Sequence, residues 1–346
     1  MNEGEAADLP GPTEFSIVSG ADIARIVSSQ TTRCIEVIRD AYLAFTDGNA
    51  VMPPSAFLRF PDKPSARIIA LPAHIGAPLM TSGIKWIASY PENVHRGLPR
   101  ASGVLILNSH ETGFPFACLE GSIISAARTA ASAVLAAEQL RPSRSIETLA
   151  IVGTGLIARS VYRFMLESGW AIGRVLLHDL DRQRAHQFAD KYVNPQRHLA
   201  VETSDTCDAA VGESDVVLFT TVAAEPHVTN PSLLRHNPLV LHLSLRDLAP
   251  DLILGANNIV DDVDHVLAAA TSLHLTEQLV GHRKFINGTL SQVIRQQCKI
   301  DPGRPTIFSP FGMGVLDVAL GKFVYDHAVA EGCHRQVPEF FSDVMA

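Results

Sequence analysis

The sequence predicts an α/β protein of two domains, and three observations support this prediction: the length of the chain, the alternation of its apolar segments and a glycine-rich turn. A chain of 346 residues is longer than one hydrophobic core usually organises, so two domains are expected. In the middle of the chain short apolar strands alternate with helical segments, which predicts a parallel sheet with helices on both faces. The predicted strands are Thr148–Val152, Arg174–His178, Asp215–Thr220, Pro238–Ser244 and Asn257–Val260.

Composition and charge exclude several classes of protein. Apolar residues make up 47% of the chain and charged residues 18%, as in a globular protein. No apolar run approaches the roughly 20 residues of a membrane helix, and a net charge of -8 makes nucleic acid an unexpected partner. The acidic N-terminal segment lacks the basic and apolar regions of a signal peptide, so we expect a flexible lead-in and a cytoplasmic protein.

Cysteine and histidine patterns give neither a disulfide framework nor a metal site. The five cysteines are widely spaced and odd in number, which is typical of a reducing compartment, and no CxxC pair indicates zinc. The fourteen histidines show no ligand spacing such as H-E-x-x-H, so we expect no metal.

The N-terminal part mixes helix and strand signals, as an α+β domain does. Apolar residues at helical spacing run from Ile38 to Phe45. Strand-like runs follow at Ser55–Phe60, Ala66–Leu71 and Val104–Leu107. A helix rich in Ala and Ser is predicted over Ile123–Leu140, and Pro142 ends it, so we place the domain boundary there.

The glycine-rich turn is the sharpest local signal. A strand runs into Gly153-Thr154-Gly155-Leu156-Ile157-Ala158 and then into an apolar helix. In this G-x-G-x-x-A pattern the first glycine permits a tight turn, the second lets a pyrophosphate approach the backbone, and the alanine lets the helix pack on the strand. The helix N-terminus offers N–H groups to the phosphates. The central part is therefore predicted to be a Rossmann domain that binds a dinucleotide.

Polar residues at the ends of two later strands refine this prediction. Asp179 lies near the distance from the glycines at which a carboxylate binds the adenosine ribose. Because a carboxylate repels a 2′-phosphate, the expected cofactor is NAD rather than NADP; the alternative is that Asp179 caps the next helix. Thr220 and Thr221 end a buried strand, where they either face the nicotinamide or cap a turn.

Basic residues outside the Rossmann segment are candidates for binding an anionic substrate. Lys85 lies in an apolar strand, so it either points to solvent on an edge strand or serves an anionic site. Arg128 interrupts the small-residue helix, where it is either a surface residue or grips a carboxylate in a cleft. Arg59 and Arg67 lie on preceding strands and could join them.

Several stretches, in order over about residues 15–330, resemble the ornithine cyclodeaminase/mu-crystallin family. They are Gly83-Ile-Lys85-Trp86, Pro91-Glu-Asn93, Thr112-Gly-Phe-Pro115, Ser125-Ala-Ala-Arg128-Thr129-Ala-Ala, Gly153-Thr-Gly155 and Phe311-Gly312-Met-Gly314-Val-Leu-Asp317. The resemblance implies a homodimer. It implies a Rossmann NAD-binding domain over residues 143–313 and an α+β domain for substrate binding and dimerisation, built from residues 15–142 and a returning segment, 314–346.

The resemblance also implies roles for individual residues. Lys85 and Arg128 fall on the family's substrate-binding lysine and arginine, and Gly312 falls on the cofactor side. A second carboxylate-binding arginine falls on Arg59, with Arg67 as the rival because the spacing there is uncertain. Lys85 is expected to take part in the proton transfers of the reaction.

Some stretches resemble one branch of the family in particular. These are Gly83–Asn93, Ala117–Ser125, Ser244–Asp247 and Ser309–Gly312. The resemblance implies oxidation of N-[(2S)-2-amino-2-carboxyethyl]-L-glutamate with NAD and hydrolysis of the imine to L-2,3-diaminopropionate and 2-oxoglutarate, for siderophore or peptide-antibiotic synthesis. A ketimine reductase or amino-acid dehydrogenase, an ornithine cyclodeaminase and a non-catalytic binding protein remain the alternatives.

One region departs from the cyclodeaminase pattern. The catalytic aspartate of cyclodeaminases lies in a G-x-D-x-P-G-K type motif, which is absent from residues 242–250, so that role cannot be transferred and ornithine cyclisation is disfavoured. Arg246 is expected either to bind a substrate carboxylate or to pair with Asp247 or Asp251 at the surface. His242 or Asp247 is expected to activate the hydrolytic water.

Overall fold

A computed structural model of the chain describes residues 14–341. The chain divides into two compact units. Of the described residues, 14–30, 44–125 and 314–341 form what we term the discontinuous unit, and 31–43 and 126–313 form the central unit. In this division the returning segment begins at Gly314, and the preceding boundary in the chain falls after Ser125. The expected lead-in and residues 342–346 lie outside the described residues.

The bounds of the regular elements are as follows. The strands are β1 (Phe15–Val18), β2 (Ala50–Val51), β3 (Ala56–Phe60), β4 (Lys63–Ile75), β5 (Thr81–Ser89), β6 (Ala101–Ser109), β7 (Pro115–Glu120), β8 (Ser145–Val152), β9 (Ala171–His178), β10 (Ala200–Thr203), β11 (Val216–Phe219), β12 (Leu239–His242), β13 (Asn257–Val260), β14 (Ile286–Thr289), β15 (Thr306–Ser309) and β16 (Arg335–Val337). The α-helices are α1 (Gly20–Ser29), α2 (Thr31–Thr46), α3 (Gly121–Leu140), α4 (Leu156–Glu167), α5 (Arg182–Tyr192), α6 (Cys207–Gly212), α7 (Pro250–Leu254), α8 (Val263–Val266), α9 (Ser272–Val280), α10 (Leu290–Ile294) and α11 (Gly314–Ala330).

The discontinuous unit is built on a mixed sheet with the order β16-β1-β7-β6-β5-β4-β2, and β3 pairs with β4. Helix α11 packs against β4, β5 and β6. Gly321 of this helix lies so close to the sheet that a Cβ would overlap the side chain of Leu105. This close approach places the buried face of α11 directly on the central strands, and β5, which carries Lys85, is an interior strand rather than an edge strand.

The central unit contains an all-parallel sheet, as predicted, and the α/β fold class is thereby confirmed. Its order is β10-β9-β8-β11-β12-β15-β13-β14. The chain adds β9 and β10 on one side of β8 and then returns to add β11 and β12 on the other. The strand order thus reverses between β8 and β11, which is where doubly wound sheets bind ligands beyond the carboxyl ends of their strands.

Burial in the central unit follows the sequence pattern. Strands β11, β12 and β13 are buried at every position, as expected for strands covered on both faces. The hydroxyl of Tyr42 in α2 and Oγ of Ser132 in α3 lie 2.6 Å apart in the interior, which ties these two helices together. Within residues 14–341, no helix combines the length and the apolar character needed to cross a bilayer.

Candidate functional site

The turn between β8 and α4 has the geometry that a dinucleotide requires. Gly153 has a φ of +86°, and a Cβ there would lie 2.9 Å from the backbone of Thr220, so only glycine fits. At Gly155 the space that a Cβ would occupy is open. Gly155 is the N-cap of α4 and no side chain caps the helix, so its first N–H groups can bind phosphate oxygens. Ala158 is fully buried, as close packing of helix and strand demands.

Asp179 is held at the glycine turn. Its Oδ2 accepts hydrogen bonds of 2.8 Å from both the backbone N–H and the hydroxyl of Thr154. The N-cap of α5 is Asp181, whose side chain accepts from the backbone of Gln183, so capping that helix is not the role of Asp179. The position of the Asp179 carboxylate beside the turn fits an acceptor for ribose hydroxyls.

A cavity of about 260 Å³ opens beside the same turn. Thr154, Gly155 and Leu156 line it from the turn and from the start of α4. Its cationic lining residues are Arg159, Arg184 and Lys191. Open backbone at a helix N-terminus together with three cations fits the phosphates of a dinucleotide. Ile157 occupies the second position of α4, and its side chain is partly buried.

The two threonines after β11 make hydrogen bonds within the central unit. Thr220 donates from Oγ1 to the carbonyl oxygen of Gly153 at 2.5 Å, which links β11 to the glycine turn. Thr221 donates from Oγ1 to Oδ1 of Asp247, and its hydroxyl also accepts from the backbone N–H of Ala223. Both residues therefore lie at the strand edge predicted for the cofactor, and the Thr221 hydroxyl also stabilises the following turn.

Asp247 is the centre of a buried hydrogen-bond cluster at the ends of β11 and β12. Its side chain has no exposed surface. It accepts hydrogen bonds from a set of hydroxyls and imidazoles: Thr221, His227, His242 and Ser244. Burial alone raises the pKa of this carboxyl, but the bonds from His227, His242 and Ser244 and the attraction of His242 hold it well below its usual range. Asp247 is therefore an ionised carboxylate at neutral pH.

The two histidines of this cluster differ in their access to solvent. His242 has no exposed surface, and its ring nitrogens face Asp247 Oδ2 at 3.1 Å and Ser309 Oγ at 3.0 Å. His227 lies in the loop after β11, with its Nε2 3.0 Å from Asp247 Oδ1, and its side chain is 38% exposed. His242 and Asp247 were predicted from the sequence but His227 was not, because only folding brings that loop against Asp247.

Arg128 lies beside Gly312 and Asp261. A Cβ at Gly312, which has a φ of +105°, would be 3.0 Å from both terminal guanidinium nitrogens of Arg128. The buried carboxylate of Asp261 accepts hydrogen bonds from the backbone N–H groups of Phe311 and Gly312. Burial raises the pKa of Asp261, against the effect of these donors and of Arg128. Glycine at position 312 is thus required for the arginine to pack against this loop.

Lys85 is buried and forms an ion pair in the discontinuous unit. Its Nζ lies 2.6 Å from Oδ2 of Asp317 on α11 and donates to Oγ of Ser125 at 3.2 Å. The lysine and aspartate side chains are 3% and 0% exposed. The solvent-exposed alternative for Lys85 is wrong, because β5 is interior and Asp317 supplies the partner that burial requires. Asp317 lies in one of the stretches that resemble the family, but no role was predicted for it.

Arginines gather on the same face of the sheet as Lys85. Arg59 and Arg67 are directly opposite each other in the β3–β4 register, and Arg67 is opposite Ser89 of β5. Because Lys85 and Ser89 are four residues apart on one strand, all four side chains belong to one face. Like charges directly opposite each other on adjacent strands repel, and a carboxylate bound between them would offset that repulsion.

A third arginine of this face was missed from the sequence. Arg100, which precedes β6, donates to Oγ of Ser89 at 3.1 Å. Burial lowers the pKa of its guanidinium, and no carboxylate of residues 14–341 lies within ion-pair distance of it. We term Arg59, Arg67 and Arg100 the arginine cluster. The signal for Arg100 in the sequence was weak, because a single basic residue before a strand is ordinary.

Arg246 pairs with neither Asp247 nor Asp251, the two surface partners predicted for it. Its guanidinium donates to the carbonyl oxygens of Ala269 at 2.8 Å and Ala270 at 2.9 Å. Both alanines have a positive φ, so this arginine stabilises a tight turn of the central unit.

The predicted residues therefore form two groups. In the central unit the structure brings Asp179 to the glycine turn, joins Thr221 and His242 to Asp247, and sets Arg128 against Gly312. In the discontinuous unit it places Arg59 and Arg67 on the face of Lys85.

The chain is similar along most of its length to several known proteins. The chain matches the model of the ornithine cyclodeaminase/mu-crystallin family over residues 17–332. The N-((2S)-2-amino-2-carboxyethyl)-L-glutamate dehydrogenase of Staphylococcus aureus is 30% identical over 325 residues, which cover 91% of this chain and 96% of that protein. The Thermococcus litoralis delta(1)-pyrroline-2-carboxylate reductase, solved with NADH and L-proline, superposes with a TM-score of 0.85 at 22% identity and covers 93% of this chain and 100% of its own. An archaeal alanine dehydrogenase dimer with bound NAD gives a TM-score of 0.83 at 22% identity, covering 94% and 100%.

Proposed function

Because the chain belongs to the ornithine cyclodeaminase/mu-crystallin family, we propose that it is an NAD-dependent oxidoreductase acting on a CH–NH bond of an amino acid. The substrate is N-[(2S)-2-amino-2-carboxyethyl]-L-glutamate, which the enzyme oxidises and hydrolyses to L-2,3-diaminopropionate and 2-oxoglutarate. A relative with that activity in its name is 30% identical along nearly its whole length. The diaminopropionate would supply siderophore or peptide-antibiotic assembly.

The arginine cluster is the observation that most strongly supports this substrate. N-[(2S)-2-amino-2-carboxyethyl]-L-glutamate, which we term the conjugate, has three carboxylates, whereas alanine or ornithine has one. Arg59 and Arg67 oppose each other, and Arg100 is partly buried beside Ser89, all on the face of Lys85. Guanidinium groups bind carboxylates bidentately, and clustered cations are stabilised when carboxylates lie between them. A substrate with three carboxylates offers an anion to each of these guanidinium groups, whereas a substrate with one carboxylate does not.

The residues have separate tasks in the reaction. Arg59, Arg67 and Arg100 bind and orient the substrate carboxylates, and Arg128 grips a further carboxylate oxygen. Lys85 donates from a position that Asp317 and Ser125 fix, and it assists the proton transfers at the reacting amine. Pairing with Asp317 offsets the cost of burying Lys85, because an unpaired ammonium would be costly there.

The glycine turn holds NAD in this proposal. Gly153, Gly155 and the uncapped start of α4 bind the pyrophosphate, and Asp179 accepts from the adenosine ribose. When bound, NAD supplies the acceptor for the hydride of the oxidation. The Thr220 hydroxyl fixes the turn from the neighbouring strand.

A homodimer is proposed, formed through the sheet of the discontinuous unit. On the face opposite Lys85, register pairs set Trp86 beside Val104 and Ile84 beside Ile106. Trp86 is 41% exposed and Val104 37% exposed, although both are apolar. Contiguous exposed apolar surface of this kind is typical of a protein interface. The archaeal alanine dehydrogenase of the same fold is a dimer.

The free cysteines of the chain favour a reducing compartment. All five cysteines are free thiols, including Cys34 in the core. We therefore place the reaction in the cytoplasm, where NAD is available and thiols stay reduced.

The test is to supply the purified protein with the conjugate and NAD, and to follow reduced nicotinamide together with 2-oxoglutarate. Equal formation of both products is expected. L-alanine and L-ornithine with NAD serve as single-carboxylate controls, and a cyclic imine with NADH tests reductase activity. Activity with the imine or with alanine, but none with the conjugate, would contradict the proposed substrate and favour an amino-acid dehydrogenase or ketimine reductase.

A further inference from the structure

We propose that His227 is the base that activates water for hydrolysis of the oxidised substrate, and that Asp247 positions it. This inference rests on the proposed function, since only an enzyme that hydrolyses its imine needs such a base. It replaces the expectation that His242 or Asp247 contacts the water. Neither of those side chains has any exposed surface.

Charge and hydrogen bonding fix which nitrogen of His227 carries the proton. The Asp247 carboxylate is ionised and can only accept, so the Nε2 of His227, 3.0 Å from Oδ1, must be protonated. In the neutral ring Nδ1 is then the basic nitrogen. A buried aspartate that holds a histidine in one tautomer and stabilises its cation is the arrangement that makes imidazole an effective base.

The backbone holds the two residues in register. The N–H groups of His227 and Val228 both donate to the carbonyl oxygen of Asp247, at 3.0 and 2.9 Å. Val228 also pairs with Leu248 in an isolated parallel bridge. The imidazole is therefore fixed by its backbone as well as by its Nε2. Fixed orientation is what proton transfer to a reacting water requires.

The position in the sheet places His227 on the correct side of the cofactor. The cluster lies beyond the carboxyl ends of β11 and β12, next to the point where the strand order reverses. Asp179, which fits the adenosine ribose, follows β9 on the other side of β8. Since a dinucleotide extends across the switch point, the β11–β12 side receives the nicotinamide half. His227, with 38% of its side chain exposed, can reach a ligand there.

His227 is the only base that the hydrolysis requires. The oxygen of water adds to the iminium carbon, the C=N π electrons move to nitrogen, and one water proton passes to Nδ1 of His227. The resulting carbinolamine receives that proton back on its nitrogen. The C–N bond breaks with its electrons going to nitrogen, so diaminopropionate leaves as the amine. The carbinol O–H loses its proton to solvent as the carbonyl of 2-oxoglutarate forms.

His227→Gln tests this role, because the amide can still donate to Asp247 but cannot carry a proton. NADH formation in the first turnover is expected to stay within about threefold of the wild type, while steady-state 2-oxoglutarate formation falls about 100-fold, the usual scale of general base catalysis. The accumulated imine is trapped with borodeuteride, which returns the starting amine carrying one deuterium. In His227→Ala, added imidazole is expected to restore hydrolysis. His186→Gln, an exposed histidine of α5, is the matched control and should behave as the wild type.

The possible results separate the two proposals. A wild-type protein that forms no NADH from the conjugate overturns the proposed function and, with it, this role. An active wild type with equally fast 2-oxoglutarate formation in His227→Gln overturns only the role of His227. The role of His227 alone is also overturned if first-turnover NADH formation in this variant falls as much as 2-oxoglutarate formation does. This holds when the variant unfolds at the wild-type temperature and binds NAD normally, since His227 would then act before hydrolysis.

Discussion

At the scale of single residues, the pair of Lys85 and Asp317 combines a structural and a chemical role that mutation can separate. Lys85→Met leaves a buried carboxylate without its cation, which costs about 3–5 kcal/mol of unfolding free energy. The double variant Lys85→Met/Asp317→Asn removes both charges and is expected to recover most of that stability. It should not recover turnover, because the proposed reaction needs the ammonium of Lys85. Urea unfolding and NADH formation measure the two properties.

Helix α11 offers a matched control for this experiment. Lys322 and Asp326 form a partly exposed ion pair on the same helix. Lys322→Met is expected to cost no more than about 1 kcal/mol, because surface pairs contribute little. Full activity in the double variant would remove Lys85 from the reaction, and a double variant as unstable as Lys85→Met would contradict the assigned ion pairing.

Asp247 makes stability depend on pH with a defined sign. Its pKa in the folded protein is depressed, so the unfolded chain takes up a proton as the pH falls through about 4 while the folded chain does not. The contribution of Asp247 is therefore complete above that range and is lost below it. Asp247→Asn is expected to lower the unfolding free energy at pH 7 by about 2–3 kcal/mol, since charged hydrogen bonds are lost.

Urea unfolding at several pH values between 7 and 3 measures this effect. The stability difference between the wild type and Asp247→Asn should shrink as the pH falls. A difference that stays constant with pH would show that the carboxylate charge is not what the cluster stabilises. Asp208→Asn, an acidic residue of α6 outside the cluster, is the control and should follow the wild type.

Asp179 is expected to set the choice between NAD and NADP. Asp179→Ser removes an acceptor for the ribose hydroxyls and the charge that repels a 2′-phosphate. The KM for NAD should rise about tenfold or more, as expected for the loss of a charge-assisted hydrogen bond, while the KM for NADP falls. Steady-state kinetics with both cofactors measure this. Asp181→Ser, two residues along, is the control, and an unchanged cofactor preference in Asp179→Ser would contradict the assignment.

At the scale of elements, the turn between β8 and α4 contains two glycines with different physical requirements. Gly153→Ala places a Cβ against Thr220 at a positive φ, so it should lower both stability and NAD affinity. Gly155→Ala meets open space and should change stability by no more than about 1 kcal/mol, the cost of a poorer N-cap. Its Cβ would nevertheless occupy the path of the pyrophosphate, so NAD binding should be lost. Thermal unfolding without cofactor and NAD titration measure the two effects.

The elements that sequence predicted well are those specified by local pattern. The run from Leu149 to Ala158 encodes strand, turn and helix in consecutive residues, and the apolar strands of the central sheet are short runs bounded by polar residues. Strand β15 was not predicted, and its place between β12 and β13 could not be. Strands that pair far from their chain neighbours leave no local trace of their partners.

The same reasoning explains the residues that were missed in the candidate site. Lys85 and Asp317 are separated by 232 residues in the chain. Asp247 meets His227 across 20 residues only because two loops at the carboxyl edge of the sheet are tied by backbone hydrogen bonds. Periodicity predicts which face of an element is buried, and it carries no information about which polar side chain of another element faces it.

At the scale of the whole molecule, the exposed apolar face of the discontinuous unit favours a particular oligomeric state in solution, the dimer. The outer side of β5 and β6 presents Trp86, Val104, Ile84 and Ile106 in paired positions. Burial of apolar surface contributes about 25 cal/mol per Å², so a second copy that covers this face would gain stability. A twofold dimer uses the same patch on both subunits, which doubles the effect of any change in it.

Trp86→Glu is therefore expected to convert the proposed dimer to a monomer, because each interface would receive two buried carboxylates without partners. Light scattering coupled to size-exclusion chromatography measures the mass, and far-ultraviolet circular dichroism checks that the subunit stays folded. Leu199→Glu is the matched control, since Leu199 is 91% exposed and belongs to the central unit rather than to this sheet. A wild-type monomer at micromolar concentration, or a Trp86→Glu variant that remains a dimer, would contradict an interface on this face. Loss of NAD binding in a folded monomeric variant would additionally show that the dimer is required for the cofactor site, whereas retained binding would assign that site to the single chain.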